Sequence, residues 1–509
     1  MIRRCVLPAL SLLAACGGDP AAPHREAGAA TRTITGHERA HAALLDGTDT
    51  GFFPSDLSAA VIEAHVPDGA GWRVVPGYGR SDGTFAIPGV PEAGHFWLRV
   101  ARRPVGHDFY WTDADAIDFD TTSVGPLEVE GSAGSSKVRV RAGGLSPWQE
   151  GDRLAWYAPD ALDVSDDLAG DLGEGLPQPG DTALDGFTFD WLGRPVIRVD
   201  EGDRAWLVQT RRLEGDAGAA YRTPVAAFTP APVRQGTDGA PIELSGTFAS
   251  PPSIEVRLAW DRPAFEALRP AIHPAHTGAL SSAGGRVFAH AGARDDGSLW
   301  FGFEFGLLDL EDPGGMMADD DLGAFALGNP YPDAWVMQSF AATWPVEVPF
   351  DFGDDVPRPL EATVAVRSRS LSSDGHALAP QIGPVGGVRL GGASLDDGAS
   401  GVAPEAELSF DAPALGAATG YLVQVVEAVR TPPEPFAPGW YLAAQLWLPG
   451  DVARVRMPHG LLRPGGTYVL VIRAFRDEGQ DLRGHPARTA VESAFADRVA
   501  GPFSVAAAE

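Results

Sequence analysis

The sequence predicts an all-β protein built from several β-sandwich domains in series. Three observations carry that expectation. Short runs of alternating apolar residues recur along most of the chain, separated by Gly, Pro and Asp-Gly turn signals, which is the rhythm of sandwich strands. Only one stretch, near residues 263 to 268, has the pattern of a helix. Finally, 509 residues, 44% of them hydrophobic and 13 of them Trp, supply enough apolar mass for three or four cores.

The chain opens with Met1, Ile2, Arg3 and Arg4, then an apolar run from Cys5 to Ala15. A basic start, a short apolar stretch and small residues before a cut describe a secretory signal peptide over 1–15. The run is about half the ~20 residues that a membrane-spanning helix needs. Leu13-Ala14-Ala15-Cys16 resembles the lipobox of bacterial lipoproteins. That resemblance implies cleavage before Cys16 and acylation of its thiol. Gly17 follows, where an Asp would resemble the inner-membrane retention signal. The expected location is therefore the cell envelope, lipid-anchored, at the outer membrane or cell surface.

Residues 16–30 are rich in Gly, Ala and Pro and read as a flexible tether. The net charge is -29, and loss of Arg3 and Arg4 with the leader would make it -31. Such a surface repels phosphate backbones, so nucleic acid is excluded as a partner and membrane attachment falls to the acyl chains. Both cysteines, Cys5 and Cys16, lie in this N-terminal part. The domains must then be held by their apolar cores, without disulfides.

Residues 31–125 read as the first sandwich, with strand-like runs at 31–36, 60–66, 72–75, 85–87 and 96–100. Asp82-Gly83 is the turn between two of them. Asp82, Gly83, Phe85, Ile87, Gly89, Val90 and Pro91, followed by Gly94-His95-Phe96, resemble the carboxypeptidase regulatory-like family. The resemblance implies a transthyretin-like sandwich with an accessory, non-catalytic role.

Residues 126–235 continue in short strands as a sandwich of unknown type, interrupted by an acidic loop from Asp160 to Asp181. Residues 236–370 form a β-rich unit that contains the one helix, over 263–268, with Asp261 as its N-cap and Pro270 as its stop. The boundary between these two units is open, and they also read as one larger domain. Residues 371–385, rich in Ser, Gly and Pro, read as a linker.

Residues 386–509 carry Phe410, Pro413, Gly420, Tyr421, Leu462, Pro464, Gly465 and Tyr468. Their order resembles the fibronectin type III family, which implies an immunoglobulin-like sandwich. A fold of this kind does not by itself specify a function.

Four patterns bear on chemistry. His37-Glu38-Arg39-Ala40-His41 matches H-E-x-x-H, in which two His one helical turn apart hold zinc and the Glu activates water. Here the stretch follows a strand-like segment and runs into Asp46-Gly47. It reads as a coincidence, and a zinc-dependent hydrolase using His37, Glu38 and His41 is the lesser reading. His273, His276 and His290 gather near a loop. Acidic tracts at 163–171, 319–321, 354–355 and 396–397 suggest calcium, the one ion to expect if any cofactor is present. Trp440, Tyr441 and Trp447 are candidates for a sugar-stacking platform.

No P-loop or G-x-G-x-x-G is present, and no cysteine lies beyond Cys16. The expectation is a non-catalytic envelope lipoprotein with a binding, adhesion or scaffolding role, a carbohydrate-binding protein being the alternative. Its partners would be the membrane, through the acyl chains, and a protein or polysaccharide.

Overall fold

The computed structural model describes residues 30–507, except 44–48, 102–106, 125–134, 159–162, 166, 169–174, 193–204, 230–241, 274–279, 291–299, 302–303, 312–320, 332–335, 355, 370–377, 433–435, 478 and 488–492. The leader, Cys16 and the tether lie outside the described residues. Among those described, no helix is long and apolar enough to cross a membrane. Among the described residues strands dominate, with one α-helix.

The first sandwich packs two four-stranded faces. One is ordered Ala116–Asp118, Thr31–His37, Thr84–Pro91, Tyr78–Gly79. The other runs Gly71–Pro76, Val61–Asp68, Phe96–Ala101, His107–Thr112. Alternation puts Ile34, Ile62, Phe85, Ile87, Leu98 and Phe119 in the space between them. The Asp82-Gly83 turn forms as expected. Gly83 sits at φ +79°, and the Asp82 carboxylate accepts the Thr84 N–H at 3.0 Å. A Cβ on Gly83 would lie 2.5 Å from the Glu38 carbonyl, so the turn needs glycine twice over.

The second core lies between the sheet Ala183–Leu192, Ser135–Gly143, Ile242–Thr247 and the strands Arg153–Ala158, Trp206–Glu214 and Ala220–Phe228. Trp156, Phe187, Phe189, Leu207 and Phe248 fill it. The strand Ile242–Thr247, expected in the third unit, pairs in parallel with Ser135–Gly143. The Ala220–Phe228 strand also meets Glu304–Glu311 through Arg222 and Asp309. Units two and three are therefore joined by shared sheets.

The helix spans Arg262–Ile272, longer than expected. Asp261 does cap it, accepting the Ala264 N–H at 3.0 Å. Pro270 lies inside the helix and does not end it. Phe265 and Ile272, two turns apart, are both fully buried, and that burial holds the last turn in place despite the lost N–H.

The expected linker needs a second correction. Its first part, 371–377, lies outside the described residues. Its remainder is built into the fold. The Leu378 N–H donates to the Ala259 carbonyl at 2.8 Å, and Ile382 and Val385 are fully buried in the main core.

The last sandwich sets Gly386–Leu390, Glu407–Asp411 and Arg454–Arg456 against Gly420–Val429, Gly439–Pro449, Thr467–Asp477 and Ser493–Val505. The Tyr468 hydroxyl accepts the Arg463 N–H at 2.9 Å, a corner that ties the start of its strand to the preceding turn. Phe410 meets Tyr421 edge-on at 4.8 Å in the core.

Chain order is not spatial order. The strand His107–Thr112 of the first sandwich pairs in parallel with Gly439–Pro449 of the last, Ala444 opposite His107 and Trp447 opposite Tyr110. At the other side Leu360–Ser368 pairs with Ser493–Val505. One sheet of 17 strands thus runs from the second unit through the last sandwich into the first.

Candidate functional site

The H-E-x-x-H stretch lies on two strands, Thr31–His37 and Arg39–Ala43, with Glu38 at the break between them. Four residues of extended chain span about 13 Å, against about 6 Å for a helical turn, so the helical face that the zinc motif requires is not formed. Glu38 is held by its backbone, donating to the Gly83 carbonyl and accepting from Ser55.

His37 instead meets carboxylates from a distant segment. It is the register partner of Asp118. Its Nδ1 lies 3.3 Å from Asp118 and 3.1 Å from Asp120. Its Nε2 lies 3.2 Å from the Arg39 guanidinium, which also grips Asp120 through Nε at 3.1 Å and Nη2 at 2.6 Å. That hydrogen bond raises the Arg39 pKa further. His485 of the last sandwich reaches the other oxygen of Asp118 at 3.2 Å.

His37, Asp118 and Asp120 place three ligand-type atoms within 4.8 Å of one another. Arg39 decides the chemistry. A guanidinium has no lone pair to offer, so Nε2 accepts from it, and Nδ1 is left facing the two carboxylates. The cluster is thus an Arg39–Asp120 ion pair with His37 beside it, and the His485–Asp118 contact brings the last sandwich against it.

The three aromatic candidates do not form one surface. The Trp440 indole N–H donates to the Arg358 carbonyl at 2.9 Å, and its ring packs on Phe350 and Phe352. Tyr441 donates to the Ala437 carbonyl. Trp447 stacks on Tyr110 at 6.4 Å and packs against the first sandwich's core. Three carboxylates of the acidic tracts meet arginines. Arg358 binds both oxygens of Asp354, Arg498 binds Asp396, and Arg153 lies 3.4 Å from Asp167. His273 is buried just beyond the helix; His276 lies outside the described residues.

What the topology does assemble is a cleft of about 720 Å³ between the first and last sandwiches. His95, Trp111 and Asp113 line one side; Arg389, Asp411, Asp451, Arg454 and Arg483 are among those on the other. His95 and Trp111 stack with centroids 5.7 Å apart and planes within 6°. Trp97 meets Trp111 edge-on at 5.1 Å. Arg483 clamps both oxygens of Asp451 at 2.8 and 2.9 Å and lies 3.9 Å from Asp113. The segment that carries Arg483 is docked on the first sandwich. Its carbonyl accepts the Thr112 hydroxyl, and the next carbonyl, of Gly484, accepts the Asp118 N–H.

Sequence reasoning missed this cleft. The available signal was the aromatic strand H-D-F-Y-W-T at 107–112, whose partners lie some 300 residues away.

No family model matches the chain, and no curated protein matches it. Among solved structures, a Streptococcal ancillary pilin aligns at 9% identity, over 69% of this chain and 98% of its own, with a TM-score of 0.12. A TM-score at that level carries no argument about fold or function.

Proposed function

We propose that this chain is a non-catalytic lipoprotein of the cell envelope with a binding or scaffolding role, and that its partner-facing surface is the cleft between the first and last sandwiches. The lipobox-like Leu13–Cys16 and the acidic, lysine-poor surface support an acyl anchor as the means of membrane attachment. The observation that carries the binding role is the cleft itself. It is open and concave, joins an aromatic pair to converging charged groups, and lies where two rigid sandwiches meet, as ligand sites commonly do.

Two measurements test the reading. Metabolic labelling with a tagged fatty acid should mark the wild-type chain and leave Cys16→Ala unmarked. A photo-reactive phenylalanine analogue in place of Ser409, on the cleft wall, should capture a defined protein or polysaccharide in intact cells. An unlabelled chain in the cytosol would sink the anchor. Capture from outer surfaces but never from position 409 would sink the cleft.

A further inference from the structure

Resting on that reading of the cleft, we infer that it takes an uncharged saccharide chain, stacked on Trp111 and hydrogen-bonded by Arg389 and Asp411. The first ground is charge. The whole chain carries -29, yet the cleft is lined by three arginines and three aspartates, which cancel. An anion would meet the carboxylates and a cation the guanidinium groups. A sugar hydroxyl both donates and accepts, so it can use both sets of groups without leaving either charge unmatched.

The second ground is rigidity. Trp111 is backed by His95 and edged by Trp97, and Trp97 is fixed by its own hydrogen bond to the Arg456 carbonyl at 2.9 Å. His95 is in turn 3.5 Å from Asp113. A flat ring held this way loses little freedom when a ligand stacks on it.

The third ground is which polar groups are already engaged. Arg483 and Asp451 hold each other. Arg454 lies 3.5 Å from Glu407. Arg389 and Asp411 make no side-chain hydrogen bond or ion pair to another described residue, and both line the cleft. Asp411 is set against Gly387, where a Cβ would come within 2.3 Å of the carboxylate, so its backbone neighbour is cut away to make room for it. A peptide partner would be better served by apolar pockets, and the apolar lining here is limited to Phe410, Val452 and Ala453 beside the aromatic pair.

The test uses the full chain on an array of neutral gluco-, manno- and galacto-oligosaccharides, oligouronates and a peptide library, followed by titration calorimetry on the best neutral oligosaccharide. Binding of a neutral oligosaccharide is expected. Trp111→Ala should weaken it roughly tenfold or more, as truncating a central aromatic anchor does. Asp411→Asn and Arg389→Ala, both at exposed positions that do not threaten the fold, should weaken it several-fold, and Trp440→Ala should leave it unchanged. A blank neutral panel, binding confined to oligouronates or peptides, or affinity indifferent to both Trp111→Ala and Asp411→Asn would overturn the inference. Capture of a protein from position 409 beside a blank panel would overturn the saccharide alone and leave the cleft as a binding surface.

Discussion

The indole N–H of Trp97 donates to the carbonyl of Arg456 across 2.9 Å, joining residues 359 positions apart in the chain. Two further bonds lie beside it. Trp72 donates to the Met457 carbonyl at 2.9 Å, and the Arg456 guanidinium donates to the Gly71 carbonyl at 3.1 Å. Together with the parallel pairing of His107–Thr112 and Gly439–Pro449, they make the first and last sandwiches one mechanical body.

Trp97→Phe retains most of the buried ring and removes the donor to Arg456. The orphaned carbonyl should cost about 1–3 kcal/mol, read as a lowered urea midpoint. Trp97→Ala should cost about 3–5 kcal/mol and split one unfolding transition into two as the sandwiches separate. A wild-type chain whose two sandwiches already unfold at different urea concentrations would contradict this.

His65 should make stability depend on pH. It is 2% exposed, and burial pulls its imidazole below the ordinary value of 6.5. Glu63 opposes that shift, while Arg99 and His459 add to it. A depressed pKa means that the folded state binds the proton less well than the unfolded chain. Stability is therefore fully present above pH 6.5 and is lost as pH falls from there through the folded-state value. His65→Phe, which cannot titrate, should flatten the melting temperature between pH 7 and 5 relative to wild type.

Asp152 should be the costliest carboxylate to remove from the second core. Burial pushes its pKa up, but Arg211, the Gln149 N–H and Gln209 outweigh that, and the net shift is downward. Arg211 binds both oxygens, at 2.9 and 2.7 Å, and Gln209 adds a bond at 2.8 Å. Asp152→Ala would strand a largely buried guanidinium, with an expected loss of about 3–5 kcal/mol in chemical denaturation. Because the pKa is lowered, this stabilisation holds above the unfolded value of 3.8 and fades as pH falls through the folded one.

Zinc content should not depend on the H-E-x-x-H stretch. With His37 Nδ1 facing two carboxylates and its Nε2 bonded to Arg39, elemental analysis of purified wild type and His37→Ala should give the same sub-stoichiometric zinc. One equivalent of zinc lost in the variant would restore the metal reading.

Local features were legible in the sequence because local physics decides them. The Asp82-Gly83 turn, the Asp261 cap and the Tyr468 corner each depend on residues within a few positions of one another. The end of the helix was misread because Pro270 is a local stop signal, whereas the burial of Ile272 is a tertiary effect. The 378–385 stretch looked like a linker through its Gly and Pro content, yet its few apolar residues, Ile382 and Val385, decided its fate. Trp440 and Trp447 looked like neighbours, but seven residues of extended strand separate them by about 23 Å. The cleft was beyond reach. Nothing near Trp111 announces Asp411, because which edge strand meets which is settled only once both sandwiches exist.

The parallel seam between residues 107–112 and 439–449 also sets a schedule for the ribosome. The first sandwich leaves the exit tunnel with an open edge, and the strand that closes it is made about 330 residues later. At typical elongation rates that delay is roughly 15–70 s. Through that interval the edge presents unpaired amides to any passing strand, the situation in which nascent β proteins aggregate. Completion of this fold is thus governed by its last-made strands, and a nascent chain stalled before residue 439 would carry a first sandwich still in need of a chaperone.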